Sequence, residues 1–470
     1  MAKILMVSSE AAPYAKTGGL ADVLSALPKA LVQAGEEVAV VLPYYRNTAV
    51  SNPRQVYERL TFGLGPHRYS ANIFETIDGG ARYLFVQIPE LYDRASLYGE
   101  PDDHLRFGAL CQAALGVARH LFMPHIIHGH DWQAGLLPVF LKDSYAHHPA
   151  YLGIKTVFTI HNLGFQGKFA QSTLADLGLP RRLYDSGVLE FYGGVNFLKG
   201  GLVMSDALTT VSRRYAQEIK TPSFGFGLDG LLRSRSKFLT GILNGADYSR
   251  WDPASDTLIP AHFDRGNLAG KADCKRALLK EAGLGAARNN RPLIGVVSRF
   301  AEQKGFDLLM QIPHEVAAED VSLVVLGSGE QRYEDFFRWY QSTYPGRVAV
   351  RLGYDDRFAH MIEAGSDMFL MPSRYEPCGL NQIYSMRYGT LPLVHATGGL
   401  DDTVSAGTGF KFWGETPGEL LECIRAALLV FGTPRWTAMM LTAMEQDFSW
   451  GAASKEYLAM YRNLMGAPRT

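Results

Sequence analysis

Short apolar runs alternate with longer amphipathic stretches along most of this chain, and no other sequence feature limits its fold as strongly. Residues 3–8 read as a buried strand, 20–34 as a helix stopped by Gly35, and 37–42 as the next strand. Asp78-Gly79-Gly80 lies between two β-like runs and predicts a hairpin turn. A helix is expected over 103–120, a strand at 125–128, a helix near 132–142 and a strand at 156–160. Strands apolar on both faces, alternating with helices, imply a parallel sheet covered by crossover helices. A second set begins near residue 292, with strands expected at 293–298, 322–326, 348–352, 368–371 and 391–395.

The stretch between the two sets, 244–291, reads as irregular. It carries the breakers Trp251-Asp252-Pro253 and Ile259-Pro260 and ends in Arg288-Asn289-Asn290-Arg291 before Pro292. The domain boundary is expected near 245–262. The 470 residues amount to about three ordinary domains in length. The expected class is α/β, with two Rossmann-like doubly wound domains over 1–245 and 246–450 and a terminal helical stretch over 451–470.

Lys plus Arg is 46 and Asp plus Glu is 47, a net charge of −1. Such a chain has no overall field to attract nucleic acid or an anionic membrane, so neither is expected as a partner. The apolar run at residues 4–7 is too short for a signal peptide or a membrane span, and none follows. Cys111, Cys274, Cys378 and Cys423 are far apart and form neither a zinc spacing nor a disulfide framework, which points to a reducing, cytoplasmic setting.

The chemistry concentrates where strands are expected to end. Lys16-Thr17-Gly18-Gly19-Leu20-Ala21-Asp22 lies between the first strand and first helix, where glycines let backbone N–H groups approach an anion. It is neither a Walker loop nor a dinucleotide fingerprint. Thr397-Gly398-Gly399-Leu400 echoes it in the second half. Val324-Val325-Leu326-Gly327-Ser328-Gly329 fails the Rossmann pattern, because Arg332 holds the third glycine position. Arg299 and Lys304 follow the first strand of the second half and form a pair suited to a diphosphate. In Glu376-Pro377-Cys378-Gly379-Leu380, a helix start near Leu380 offers N–H groups while Glu376 offers acceptors for sugar hydroxyls. His128 and His130 share one face of a strand, but no further ligand at a recognised spacing accompanies them. His130-Asp131 and His161-Asn162 read instead as polar strand ends.

Taken together, these segments resemble the bacterial glycogen synthases and the plant starch synthases. The resemblance runs in order through Lys16–Asp22, His130-Asp131-Trp132, Thr159-Ile160-His161-Asn162, Gly241-Ile242-Leu243-Asn244-Gly245, Ser298-Arg299, Gln303-Lys304-Gly305, Glu376–Leu380, Arg387-Tyr388-Gly389-Thr390 and Thr397–Leu400. It implies the GT-B architecture, two wound domains facing a deep cleft, and a terminal helix that packs back on the first domain. It implies transfer of glucose from ADP-glucose to the non-reducing end of an α-1,4-glucan with anomeric retention, without cofactor or metal. By this similarity Arg299 and Lys304 hold the diphosphate, and Gly18 and Leu380 give it backbone N–H groups, with Gly19, Cys378, Gly379, Thr397 and Gly398 beside them. Lys16 lies near the phosphates or the acceptor end; Glu376, His161 and Asn244 orient the glucosyl unit, with Asn162 next to them. Tyr354 stacks on adenine and Asp131 lines the acceptor side.

Three positions depart from the family pattern. Asn381 stands where Thr is usual, His395 where Arg is expected, and Tyr384 where a second glutamate often engages ribose. The alternative reading is a related retaining glucosyltransferase that uses UDP-glucose or another acceptor.

Overall fold

The computed structural model describes residues 1–466. The chain divides into two compact units. One comprises Met1–Val211, Ala216–Gly245 and the segment from Trp450; the other comprises Ala246–Ser449 with Ser212–Tyr215.

The N-terminal unit is built on a nine-stranded sheet. Its inner strand, Lys3–Val7, lies between Glu37–Pro43 and Ile126–His130, and pairs in parallel with both. The sheet continues through Lys155–Ile160, Ala207–Thr210 and Leu239–Gly241 on one side and through Ala81–Gln87 on the other. Ile4, Leu5, Met6 and Val7 are fully buried, as expected for a strand covered by helices on both faces. The hairpin expected at Asp78-Gly79-Gly80 is present, with Asp78 opposite Ala81 in an antiparallel pair. The edge strand beyond it, Arg54–Leu64, was not legible because it is mostly exposed or half-buried. Because the chain winds outward in both directions from Lys3–Val7, a topological switch point lies at the carboxyl ends of Lys3–Val7 and Ile126–His130.

The helix Trp450–Leu464 belongs to this unit and packs against Gly19–Gln33. Its buried apolar residues Trp450, Ala453, Tyr457, Leu458 and Tyr461 follow helical spacing and form one stripe. Tyr461 also reaches the core chemistry: its hydroxyl lies 2.7 Å from His128 Nδ1. A Tyr461→Phe variant is expected to destabilise the N-terminal unit by about 1–3 kcal/mol, because a buried imidazole nitrogen loses its partner. Denaturant unfolding followed on that unit checks this.

The C-terminal unit holds a six-stranded, wholly parallel sheet in the order Val348–Leu352, Ser322–Gly329, Leu293–Phe300, Met368–Met371, Leu391–His395, Phe410–Phe412. Its switch point lies at the carboxyl ends of Leu293–Phe300 and Met368–Met371. One expectation is corrected here. The stretch 244–291 is not irregular throughout, for it contains the helix Ala269–Glu281. The apolar period was hidden because two of the buried positions are lysines. Lys271 donates to the carbonyls of Ala364 and Tyr388 and to Thr390 Oγ1, and Lys275 pairs with Asp367 at 2.6 Å. Buried lysines satisfied in this way count as core in three dimensions but as surface in a periodicity.

Candidate active site

In the N-terminal unit the polar strand ends gather at the carboxyl edge of the sheet. Glu10, three residues beyond the first strand, is buried beneath the glycine loop. Its carboxylate accepts from Thr17 N at 2.5 Å, Thr17 Oγ1 at 2.7 Å and Tyr98 Oη at 2.5 Å, with Gly18 N farther off at 3.3 Å. Glu10 and Tyr98 were not singled out from sequence. The available signal was a polar Ser8-Ser9-Glu10 run directly after a strand. Lys16 is exposed and pairs with Asp22 at 2.6 Å. Gly18 caps the helix Gly19–Gln33, whose first-turn N–H groups have no acceptor within the helix.

Asp131 ends the Ile126–His130 strand with φ +57°, an uncommon value for a residue with a side chain. Its carboxylate accepts from the backbone N–H of His161 at 2.7 Å. Burial outweighs that bond and the nearby charge of Glu10 adds to it, so the Asp131 carboxyl is pushed up to about 7. His161 Nε2 lies 3.0 Å from His130 Nδ1, and the His130 ring stacks on His128 at 4.2 Å. His128 in turn meets Thr159 Oγ1 at 2.6 Å. Burial lowers His128 and His161 to about 3 and lowers His130 as well, so this row of imidazoles is neutral near pH 7. Among the described residues no group of three or more His, Cys, Asp or Glu is placed to hold a metal ion. Asn162 turns its side chain to the N–H of Gly164 at 3.0 Å. Asn244, after the Leu239–Gly241 strand, is buried, and its carboxamide oxygen finds no hydrogen-bond partner among the described residues.

In the C-terminal unit the second set lies at the switch point. Arg299 ends the Leu293–Phe300 strand and is exposed. Lys304 donates to Glu376 Oε2 at 2.6 Å, and Ser373 Oγ donates to the same oxygen at 3.0 Å. Gln303 ties the two loops together. Its side chain donates to the Tyr375 carbonyl at 3.1 Å, and its own carbonyl accepts from Arg374 N at 2.9 Å. Ser373 and Gln303 are thus supports that no spacing rule revealed. Cys378 is buried, Gly379 has φ +71°, and Leu380 caps the helix Asn381–Arg387. Tyr354 is exposed beyond Val348–Leu352, with its hydroxyl 3.0 Å from Asp356.

The two glycine loops that echo one another do different work. A Cβ on Gly398 would stand 1.9 Å from the Glu376 carbonyl oxygen, and one on Gly399 would stand 2.1 Å from that of Cys378. These glycines, with Thr397 as helix cap, let the 397–399 turn press against the Glu376 loop. A Cβ on Gly18 or Gly19 would meet nothing within 4 Å, so packing does not require glycine there. Gly399→Ala is expected to cost at least about 1–3 kcal/mol of stability through overpacking. Gly18→Ala, at an ordinary extended φ of −158°, is expected to leave the melting temperature within a degree or two and act on ligand affinity instead. Calorimetry and a donor titration on both variants separate the two roles.

The three departures also acquire roles. The side chain of Asn381 donates to the Val297 carbonyl at 2.8 Å. His395 sets its ring nitrogens 2.8 Å and 3.0 Å from the carbonyl oxygens of Ser373 and Trp413. Tyr384 is buried and stacks on Trp251 with ring centroids 4.3 Å apart, so it serves the core at the position where the resemblance leads one to expect a second glutamate.

Residues 3–234 match the family "Starch synthase catalytic domain", and residues 285–429 match "Glycosyl transferases group 1". A glycogen synthase of Koribacter versatilis is 48% identical over 472 aligned positions, covering 97% of each chain. This chain belongs to the glycogen and starch synthase family. The catalytic domain of starch synthase IV from Arabidopsis thaliana, solved with ADP and acarbose, superposes with a TM-score of 0.91 at 32% identity over 99% of each chain. A sucrose-phosphate synthase from Thermosynechococcus elongatus, at a TM-score of 0.61 and 18% identity over 99% of each chain, shares the fold. The family member described here is therefore a glycosyltransferase of the GT-B type. Among the described residues no helix is long and apolar enough to cross a membrane.

Proposed function

We propose that this family member transfers glucose from ADP-glucose to the non-reducing end of an α-1,4-glucan with retention of configuration. The observation that carries the reading is the pair of cations at the C-terminal switch point. Arg299 is exposed there, and Lys304 is held in place by the buried carboxylate of Glu376. Departure of ADP builds negative charge on the diphosphate. Fixed cations aimed at developing charge are usually the largest single contribution to such a rate. In this reading side chains meet that charge and no metal or cofactor is needed. Leu380, Cys378 and Gly379 add backbone donors, Tyr354 stacks on the adenine, and Thr397 and Gly398 shape the loop. Gly18 and Gly19 leave room for close approach of a phosphate or sugar, and Lys16 adds charge there. Glu376, His161, Asn162 and Asn244 orient the glucosyl unit, and Asp131 lines the acceptor side.

Retention by double displacement would need a free carboxylate beneath the anomeric carbon. Glu376 is engaged by Lys304 and Ser373, and Asp131 accepts from backbone N–H and is raised to about 7. Both observations favour a front-face route. The bond from the anomeric carbon to the phosphate oxygen breaks, the acceptor hydroxyl oxygen bonds on the same face, and the departing phosphate takes the hydroxyl proton. Incubation of the purified chain with glycogen and labelled ADP-glucose or UDP-glucose tests the reading. Label enters glycogen from ADP-glucose in preference; transfer from UDP-glucose alone would replace the donor assignment. A glucosyl adduct trapped on Asp131 or Glu376 would overturn the front-face route.

A further inference from the structure

We propose that Tyr192, Phe226 and Phe165 form an aromatic platform on the N-terminal unit that grips the α-glucan acceptor away from its reacting end. Large aromatic side chains are usually hidden, yet these three are 83%, 38% and 57% exposed. They come from separate loops that the fold brings together. The Tyr192 ring edge lies 3.1 Å from where a Cβ on Gly227 would stand, next to Phe226. Gln166, next to Phe165, donates to the Phe226 carbonyl at 3.2 Å.

The backbone carries the stronger sign. Tyr192 has φ +50° and Phe226 φ +47°. The left-handed region is a genuine outlier for bulky residues, and it persists only where the surroundings impose it, most often at ligand sites. Asp131, in the candidate active site of the same unit, has the same signature at +57°. The surroundings here do impose it. The buried Gln166 carboxamide also donates to the Leu163 carbonyl at 3.1 Å and accepts from Asn196 at 2.9 Å. The turn after Tyr192 is held by Gly193 N donating to Glu190 at 2.9 Å.

The platform is continuous with the loop that begins at His161. Phe165 N donates to the Asn162 carbonyl at 3.2 Å, and Asn162 Oδ1 accepts from Gly164. Its chemistry suits a pyranose chain. Aromatic faces stack on the C–H faces of sugar rings, while polar groups at the rim take hydroxyls. Lys168, 5.3 Å from the Phe191 ring centroid, and Glu190 supply that rim. The inference rests on the proposed transfer to an α-glucan, and it adds where the remainder of the chain is held.

The test replaces Tyr192 and Phe226 by glycine, singly and together, because glycine adopts positive φ at no steric cost. Retardation in native gels containing glycogen, and KM for glycogen and for ADP-glucose, are measured against wild type. The double variant is expected to lose glycogen affinity about tenfold, with KM for ADP-glucose unchanged and no fall in melting temperature. Undiminished retardation, or a parallel rise in KM for ADP-glucose, overturns the proposal. If a glycine variant melts below wild type, Phe165→Ala decides, since its backbone is not strained: lost retardation supports the platform and retained retardation overturns it. The gel assay requires no turnover. A wild-type protein that is retarded by glycogen but transfers no glucose would contradict the proposed reaction and leave the platform standing.

Discussion

Replacing Arg299 by alanine is expected to lower kcat for glucose transfer by about 10²–10³-fold, the usual cost of removing one preorganised donor from a developing oxyanion. Stability should not change, because the guanidinium is exposed at a strand end. Part of the loss will fall on KM for ADP-glucose, since the ground-state diphosphate already carries charge; the kcat component reports the transition state. Lys304→Ala should match that rate loss and also reduce stability by a few kcal/mol, because it strands the Glu376 carboxylate in a buried loop. Adding Glu376→Gln to Lys304→Ala should then recover stability without recovering rate. Initial rates with ADP-glucose and glycogen, together with calorimetry, check all three variants. A rate within a factor of a few of wild type for Arg299→Ala would remove the electrostatic mechanism.

Asp131→Asn is expected to stabilise the N-terminal unit above neutral pH while lowering activity. The carboxyl stands at about 7 in the fold against an ordinary 3.8. A raised carboxyl makes the folded state hold a proton that the unfolded chain has released. Its favourable contribution is therefore complete below pH 3.8 and is lost as pH rises to about 7. At pH 8 the wild type bears the full cost of a buried charge, on the order of 4 kcal/mol. Asparagine keeps the acceptor oxygen for the His161 N–H and tolerates positive φ well. The advantage of the variant should grow by about 2–3 kcal/mol between pH 5 and pH 8. The buried His128, His130 and His161 act in the opposite sense, losing stability as pH falls below their ordinary range. The difference between variant and wild type isolates Asp131, whereas the wild-type curve does not. Parallel pH curves for the two proteins would show that Asp131 is ionised throughout. Loss of transfer activity alongside gained stability is the usual sign of a strained functional group.

The strands were legible because those of a wound sheet are buried on both faces and read as unbroken apolar runs. Met368–Met371 and Leu391–His395 occur where they were expected. The helix Trp450–Leu464 was legible because one of its faces is apolar at helical spacing. The helix Ala269–Glu281 was not, because Lys271 and Lys275 face the core and find their acceptors on residues about a hundred positions away. Candidate residues that end strands, such as Asp131, His161 and Arg299, could be named from sequence because strand ends in wound sheets are where ligands bind.

By itself the sequence determined the class of fold, the succession of strands and the residue types available at each strand end, because those depend on periodicity and on neighbours along the chain. Only the tertiary structure decided which groups meet. It placed Glu10 under Thr17 and Gly18, Ser373 and Lys304 on one oxygen of Glu376, and Tyr461 from the last helix against His128. It also separated two similar glycine loops, one held by packing and one open. Hydrogen bonds and desolvation act through space over a few ångströms, so a carboxyl raised to about 7, or two aromatics held at positive φ, leaves no trace in local spacing.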